Sequence, residues 1–148
     1  MSDNKKIFEL YVESAAAEEQ PQMITDKWGN KRWYLHGELH RKDGPAAEYT
    51  TGTKVWRQHG RLHRDDGPAI EHANGDKSWY SRGYLHREDG PAMILANGTK
   101  AWWLHNQQYG SPEAWAEAVL KQRNKPRGDA MVDAFLKTIL KKDIEHAL

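Results

Sequence analysis

The residues of this chain that could do chemistry lie in a sequence that occurs three times, Leu-His-Arg-x-Asp-Gly-Pro-Ala. Each copy places an imidazole, a guanidinium and a carboxylate close together, a set that could bind a metal ion, transfer a proton or hold an anion. The copies recur every 23 residues and contain His40, Arg41 and Asp43, then His63, Arg64 and Asp66, then His86, Arg87 and Asp89. A group present in every unit of a repeat is usually one that the fold of the unit requires.

The repeated histidines are the candidate metal ligands, and His36, His59 and His105 add further imidazoles. Zinc ligands cluster in one place, whereas these histidines recur one per unit, and the chain has no cysteine. We therefore expect structural roles for the histidines and no metal site. We also interpret the Arg–Asp pairs as structural, because each Asp can cap its own turn and each Arg can pair with that Asp or with the Asp of a neighbouring unit.

A second pattern, Gly-x-Lys-x-Trp, occurs four times with the same period. Residues two apart in a strand share one face, so the pattern predicts a row of Lys31, Lys54, Lys77 and Lys100 beside a row of Trp33, Trp56, Trp79 and Trp102. Such a face could bind nucleic acid by stacking bases and neutralising phosphates, which makes Lys54, Lys77 and Lys100 candidate binding residues. The alternative, which we favour, is a core face with lysine stems along the Trp rings and the C-terminal helices packed on it.

Positions that differ between copies are better candidates for partner specificity than positions that repeat. One set follows each repeated Trp, a second lies near the opposite turn, and a third lies on the last predicted helix. These residues are Tyr34, Arg57, Tyr80 and Trp103, then Tyr49, His72 and Leu95, then Lys137, Lys141 and Lys142.

No catalytic residue or cofactor is expected, because the sequence lacks the usual templates. It has no phosphate-binding glycine loop placed after a strand, no thiol nucleophile and no serine in a nucleophile-elbow context. We therefore expect a protein that is not an enzyme.

Composition and charge limit the remaining classes. Only 38% of the 148 residues are hydrophobic and the mean hydropathy is −0.96, so the seven Trp and six Tyr should supply much of the buried surface. The net charge of +1 argues against a general polyanion binder. We expect no secretory signal and no membrane insertion, since no apolar run approaches the length of about 20 residues that spans a bilayer. The lack of cysteine fits a cytoplasmic location.

Three segments are predicted. Residues 1–20 are an acidic lead-in with two bases and five acids, in which residues 7–12 are apolar and residues 15–19 favour helix. Residues 21–110 are the repeats, each read as a β-hairpin plus a connecting turn, and stacked units predict an elongated antiparallel meander. Residues 111–148 predict a helical hairpin that caps the sheet or packs on its face. Its first helix starts at Ser111 and ends near Gln122.

The repeat resembles the MORN repeat, and more closely a variant with the core Leu-His-Arg-x-Asp-Gly-Pro-Ala followed by Asn-Gly-x-Lys-x-Trp. That variant recurs in small accessory proteins of tailed phages and in some bacterial and giant-virus proteins, and YwqK-type antitoxin modules use similar units. The resemblance covers residues 21–110 and implies a single-layer sheet of hairpins used for contact with proteins or lipids. This chain departs from the variant at the turn before Leu-His-Arg, where His-Gly or Arg-Gly replaces the usual Asn-Gly.

The leading hypothesis is a phage accessory protein that binds and inhibits a host factor, such as a component of a defence system. The alternatives are an antitoxin or immunity protein, a nucleic-acid or nucleotide binder that uses the Lys/Trp face, and, more weakly supported, a lipid-surface binder. The open meander also has two edges that must be covered or paired. Either the N-terminal segment covers one edge and the helices cover the other, or the chain forms a homodimer through an edge strand.

Overall fold

A computed structural model describes residues 19–147 of the chain, with side chains for residues 19–141. The predictions made for residues 1–18 and for the side chain of Lys142 lie outside this range. Within it the protein is mainly β with two C-terminal helices, which confirms the predicted fold class. Neither helix in the described range is long and apolar enough to cross a lipid bilayer.

The described residues form fourteen short strands and two helices. The strands are β1 (Gln22–Thr25), β2 (Lys31–Leu35), β3 (Glu38–Leu39), β4 (Ala47–Glu48), β5 (Lys54–Val55), β6 (Arg57–Gln58), β7 (Arg61–Leu62), β8 (Ile70–Glu71), β9 (Lys77–Ser78), β10 (Tyr80–Ser81), β11 (Tyr84–Leu85), β12 (Met93–Ile94), β13 (Lys100–Leu104) and β14 (Gln107–Tyr109). The helices are α1 (Pro112–Gln122) and α2 (Asp129–Ala147).

The strands form an antiparallel meander in the order β1-β2-β4-β5-β8-β9-β12-β13-β14, and β3 pairs with the far end of β2. In the second and third units the extended segment divides into two short strands at the repeated Trp, whereas β2 and β13 run through Trp33 and Trp102 and change their pairing partner there. In the second unit, β5 before Trp56 pairs with the main sheet, and β6 after Trp56 pairs with β7 in a separate hairpin. Trp56 lies at the junction, where its N–H donates to Ala69 and its carbonyl accepts from His63. The unit is therefore one sheet hairpin and one side hairpin joined at a Trp.

The side hairpins turn through residues with left-handed backbone conformation. His59 has φ +48° and the following Gly60 has φ +75°, the combination that a two-residue hairpin loop of type I′ needs. His36, Arg82 and His105 occupy the same position in the other units with φ of +50°, +50° and +46°. The departure from Asn-Gly therefore leaves the turn geometry intact, although a bulky residue holds a conformation that Asn adopts more readily.

The helical pair covers the last unit of the sheet. Ser111 caps α1, since its hydroxyl accepts from the Ala114 N–H, and the predicted start and end of this helix are confirmed. Buried side chains of β13, α1 and α2 form one apolar cluster. Its members are Trp102, Leu104, Trp115, Ala116, Val119, Leu120, Val132, Leu136 and Ile139. Because this is an apolar cluster between helices and sheet, the helices close one end of the array, as a repeat protein requires. At the other end, no strand of the described part of the chain pairs with the outer edge of β1.

Candidate functional site

The Arg-x-Asp-Gly-Pro segment is a loop organised around an arginine that covers a Trp ring. The guanidinium carbon of Arg64 lies 3.9 Å from the centre of the Trp56 ring. Its Nε donates to Asp66 at 3.0 Å and its Nη1 donates to the Pro68 carbonyl at 3.1 Å. Arg41 and Arg87 make the same contacts with Trp33 and Trp79, at 3.9 and 4.1 Å from the ring centres. The loop is therefore held by a cation–π contact and charge-assisted hydrogen bonds.

The glycine in each loop follows from this packing. A Cβ atom at Gly67 would lie 2.9 Å from the Arg64 guanidinium carbon, and one at Gly90 would lie 2.6 Å from that of Arg87. Any side chain there would push the guanidinium off the Trp ring. The structure thus places the repeated Arg, Asp and Trp in one scaffold element, and it is arginine from the loop, not the strand lysine, that covers each of these rings.

The histidines connect neighbouring units through the turn backbone. The Nδ1 atom of His40 accepts the backbone N–H of His59 at 2.9 Å, and His63 and His86 accept those of Arg82 and His105 at 3.0 and 3.1 Å. An accepting Nδ1 fixes the neutral tautomer with the proton on Nε2. For His86, burial and then the proximity of His105 lower the pKa, against an opposing effect of Glu88. Among the described residues no group of three or more His, Asp or Glu side chains is placed to hold a metal ion.

The lysine row is interleaved with acids. Lys31, Glu48, Lys54, Glu71 and Lys77 lie directly opposite one another in successive strands, so their side chains share one face. Beyond Lys77 the row continues with Ile94 and then Lys100. The acids also reach the loop arginines, because Glu48 lies 3.6 Å from Arg41 Nη1 and Glu71 lies 3.1 Å from Arg64 Nη1. The face is therefore a mixed-charge surface with most of its cations beside anions, which weakens its fit to nucleic acid.

The predicted row of Trp residues has two environments. Trp33, Trp56 and Trp79 are half-buried under arginines, and only Trp102 is buried by the C-terminal helices. The ring centre of Trp102 lies 4.6 Å from that of Trp115, and Trp115 Nε1 donates to the Arg87 carbonyl at 3.1 Å. Trp115 thus takes, in the last unit, the place that arginine has in the others.

The variable residues after each Trp form a separate half-buried row. Tyr34, Arg57, Tyr80 and Trp103 lie opposite Leu39, Leu62, Leu85 and Gln108 in the side hairpins. Adjacent strand residues point to opposite faces, so this row lies on the face away from the Trp row. Arg57 donates to the Gly60 carbonyl at 2.8 Å, and Trp103 Nε1 is buried without an acceptor in the described part of the chain. The structure therefore does not bring this row together with the lysine row.

The other candidate residues are dispersed. The Tyr49 ring lies 5.4 Å from the Arg32 guanidinium carbon, and His72 is exposed at the turn between β8 and β9. On α2, Lys137 pairs with Asp133 at 2.7 Å, and this hydrogen bond raises the pKa of Lys137. Lys137 and Lys141 are solvent-exposed side chains far along the chain from the repeats. These positions do not form one site.

The exposed apolar residues at the first unit were missed by the sequence interpretation. Trp28 is 69% exposed, Ile24 is 57% exposed and Met23 is 49% exposed. Trp28 occupies the tip of the turn between β1 and β2, and the equivalent positions of the following turns are Thr51, Asn74 and Asn97. The signal was present in the 23-residue alignment, since Trp is the one large side chain at this position.

The Trp28 turn has the same backbone geometry as the others. The Gly29 N–H donates to the Asp26 carbonyl at 3.0 Å, as the Gly75 N–H donates to the His72 carbonyl at 2.9 Å. The Asp26 side chain also accepts from the Trp28 N–H at 2.9 Å. Burial raises the pKa of Asp26, but hydrogen bonds from Asn30, Arg32 and Trp28 outweigh it, so the net shift of the pKa is downward. The turn is therefore well held, and the exposed indole is presented on a fixed backbone.

A groove lies between the second and third units. Its volume is about 850 Å³ and its lining includes Asp66, Lys77, Trp79, Arg87, Asp89 and Ile94. Ile94 takes the place that Glu48 and Glu71 have in the earlier units. This second departure from the period was also visible in the sequence and was missed.

Comparisons with known proteins do not identify the chain. No protein-family model matches it, and no curated protein matches it. The resemblance to the MORN-like variant therefore rests on the repeated motifs alone.

Proposed function

We propose that this chain is a non-enzymatic β-repeat protein that works by binding another protein. The observation that carries the proposal is the exposed Trp28, which replaces a small turn residue on an otherwise regular turn and lies at the same end as Met23 and Ile24. Large exposed apolar side chains are characteristic of protein interfaces, and Trp is the residue most enriched among those that dominate binding energy. Following the motif resemblance, we propose a phage accessory protein whose partner is a bacterial host factor, such as a defence component.

The arrangement of cations supports a protein partner over a nucleic acid. The loop arginines already bind a Trp ring, an aspartate and a carbonyl, and Glu48 and Glu71 lie between the lysines. A polyphosphate would have to displace these contacts and would meet the exposed aspartates of the loops. A protein partner can bind without displacing these contacts.

The test is affinity capture from a bacterial lysate with the full chain and a matched Trp28→Asn variant. Asn occupies the same turn position at Asn74 and Asn97, so the variant keeps a sequence that this turn geometry accepts. We expect the wild-type chain to retain a specific protein at physiological salt, and the variant to retain it about tenfold less. Equal capture by both chains, or retention of nucleic acid in place of protein, would refute the proposal.

A further inference from the structure

Units one and two provide internal templates for the third unit. In each, the loop arginine is paired with the aspartate two residues later and is also reached by a glutamate of the lysine row. The third unit retains Arg87 and its Asp89, 2.8 Å apart, but the row position holds Ile94. The third unit therefore lacks, beside Arg87, the glutamate carboxylate that the first two units have beside their loop arginines.

The missing acid coincides with the groove. Arg87, Lys77 and Ile94 line it together with the Trp79 ring, so a cationic and an apolar surface lie side by side. Lys100 and the carboxylates of Asp65, Asp66 and Asp89 are also part of its lining. The three carboxylates in the lining oppose a multiply charged phosphate, whereas a single carboxylate can take the place of the absent glutamate beside Arg87.

We propose that this groove binds a carboxylate side chain of a partner polypeptide, with an adjacent aliphatic residue of the partner packed on Ile94 and Trp79. This inference rests on the proposed function and names the chemistry that the partner must supply. The second unit shows the contact expected between Arg87 and the partner's carboxylate, since Glu71 Oε1 lies 3.1 Å from Arg64 Nη1 there. Charge-assisted hydrogen bonds of this kind are the stronger class in proteins, so one such contact can select an acidic residue.

The test is an NMR titration of the full chain with the capped tripeptide acetyl-Leu-Glu-Leu-amide, observing the indole N–H of Trp79 and the Nε–H of Arg87. We expect both signals to shift, and the corresponding Leu-Gln-Leu peptide to bind about tenfold more weakly because it lacks the charge. Ile94→Glu should weaken binding by a similar factor, because it restores the glutamate of the other units. Glu71→Ile should create a second groove and add shifts at Trp56 and Arg64.

Three results would overturn the inference. They are equal binding of the Gln peptide, binding that is unaffected by Ile94→Glu, and shifts of the same signals by inorganic phosphate at lower concentration than by the Glu peptide. The titration does not depend on capture from a lysate, so it can fail while Trp28-dependent capture succeeds, or succeed while capture fails. The two outcomes separate this inference from the proposed function.

Discussion

A single side chain, the arginine after each repeated histidine, joins the loop to the sheet in all three units. It stacks on the Trp, donates to the Asp and to the carbonyl of the Pro, and lies where a side chain at the Gly position would displace it. The sequence Arg-x-Asp-Gly-Pro is therefore explained by one guanidinium and the groups that surround it. These shared contacts explain why the same residues recur in each unit.

Replacing this arginine should destabilise the protein. We expect Arg64→Ala to lower the free energy of unfolding by about 2 kcal/mol, because a half-buried cation–π contact and charge-assisted hydrogen bonds are lost together. Arg61→Ala is the matched control, since Arg61 is an exposed arginine on β7 of the same unit, and it should change stability by less than about 0.5 kcal/mol. Urea unfolding measures both values, and equal effects would contradict the role given to Arg64.

His86 predicts a pH dependence of stability. The pKa of His86 in the folded chain is lowered by burial and by His105, so the unfolded chain takes up the proton first as the pH falls below 6.5. The stabilisation is therefore complete above pH 6.5 and is lost as the pH falls from there toward the lowered folded pKa. His86 Nδ1 also accepts the His105 N–H, and protonation would remove that bond.

The matched variant is His86→Asn, whose amide oxygen can accept near the position of Nδ1 but does not titrate. Unfolding free energies measured between about pH 7.5 and 5.5 should fall more steeply for the wild-type chain than for the variant. The difference in slope should be at most about 1.4 kcal/mol per pH unit, the value for one proton. Parallel profiles would show that His86 is not a source of the dependence. Glu88, which pairs with Arg123, opposes the effect and is the same in both chains.

At the scale of elements, the 23-residue period predicts most of the structure because each unit forms the same strand pairings and turns. The meander, the hairpin turns and the start of α1 at Ser111 follow from local sequence signals. Local sequence signals do not predict which residue packs on each Trp ring, because the arginine eight residues later contacts the ring only when the loop is folded. The cover of Trp102 likewise depends on where α1 packs, and spacing within the chain contains no information on that.

The cap formed by α1 depends on Trp115. This residue is fully buried, contacts Trp102 and Phe135, and donates to the Arg87 carbonyl. We expect Trp115→Ala to lower the free energy of unfolding by about 3–5 kcal/mol, the usual cost of removing a buried Trp. Trp28→Ala, at an exposed Trp, should cost less than about 0.5 kcal/mol. If both changes cost the same in chemical denaturation, α1 is not the cap of the array.

At the scale of the whole molecule, the two departures from the period lie on the same sheet. Trp28 lies in the turn between β1 and β2, and Ile94 lies on β12, so β2 and β12 are about 24 Å apart across the sheet at the usual spacing between strands. One partner could contact both places. Under the proposed function, the regular array holds an apolar anchor and an anion-binding groove at a fixed distance, and the residues that break the repeat contact the partner.

Hydrogen–deuterium exchange of the captured complex tests this claim most directly. We predict that the partner slows backbone exchange in residues 22–29 and in residues 87–98, and leaves the repeated side-hairpin turns at His59 and Arg82 unchanged. Protection that recurs every 23 residues along the array, equally in all units, would contradict it, because binding would then use the repeated surface.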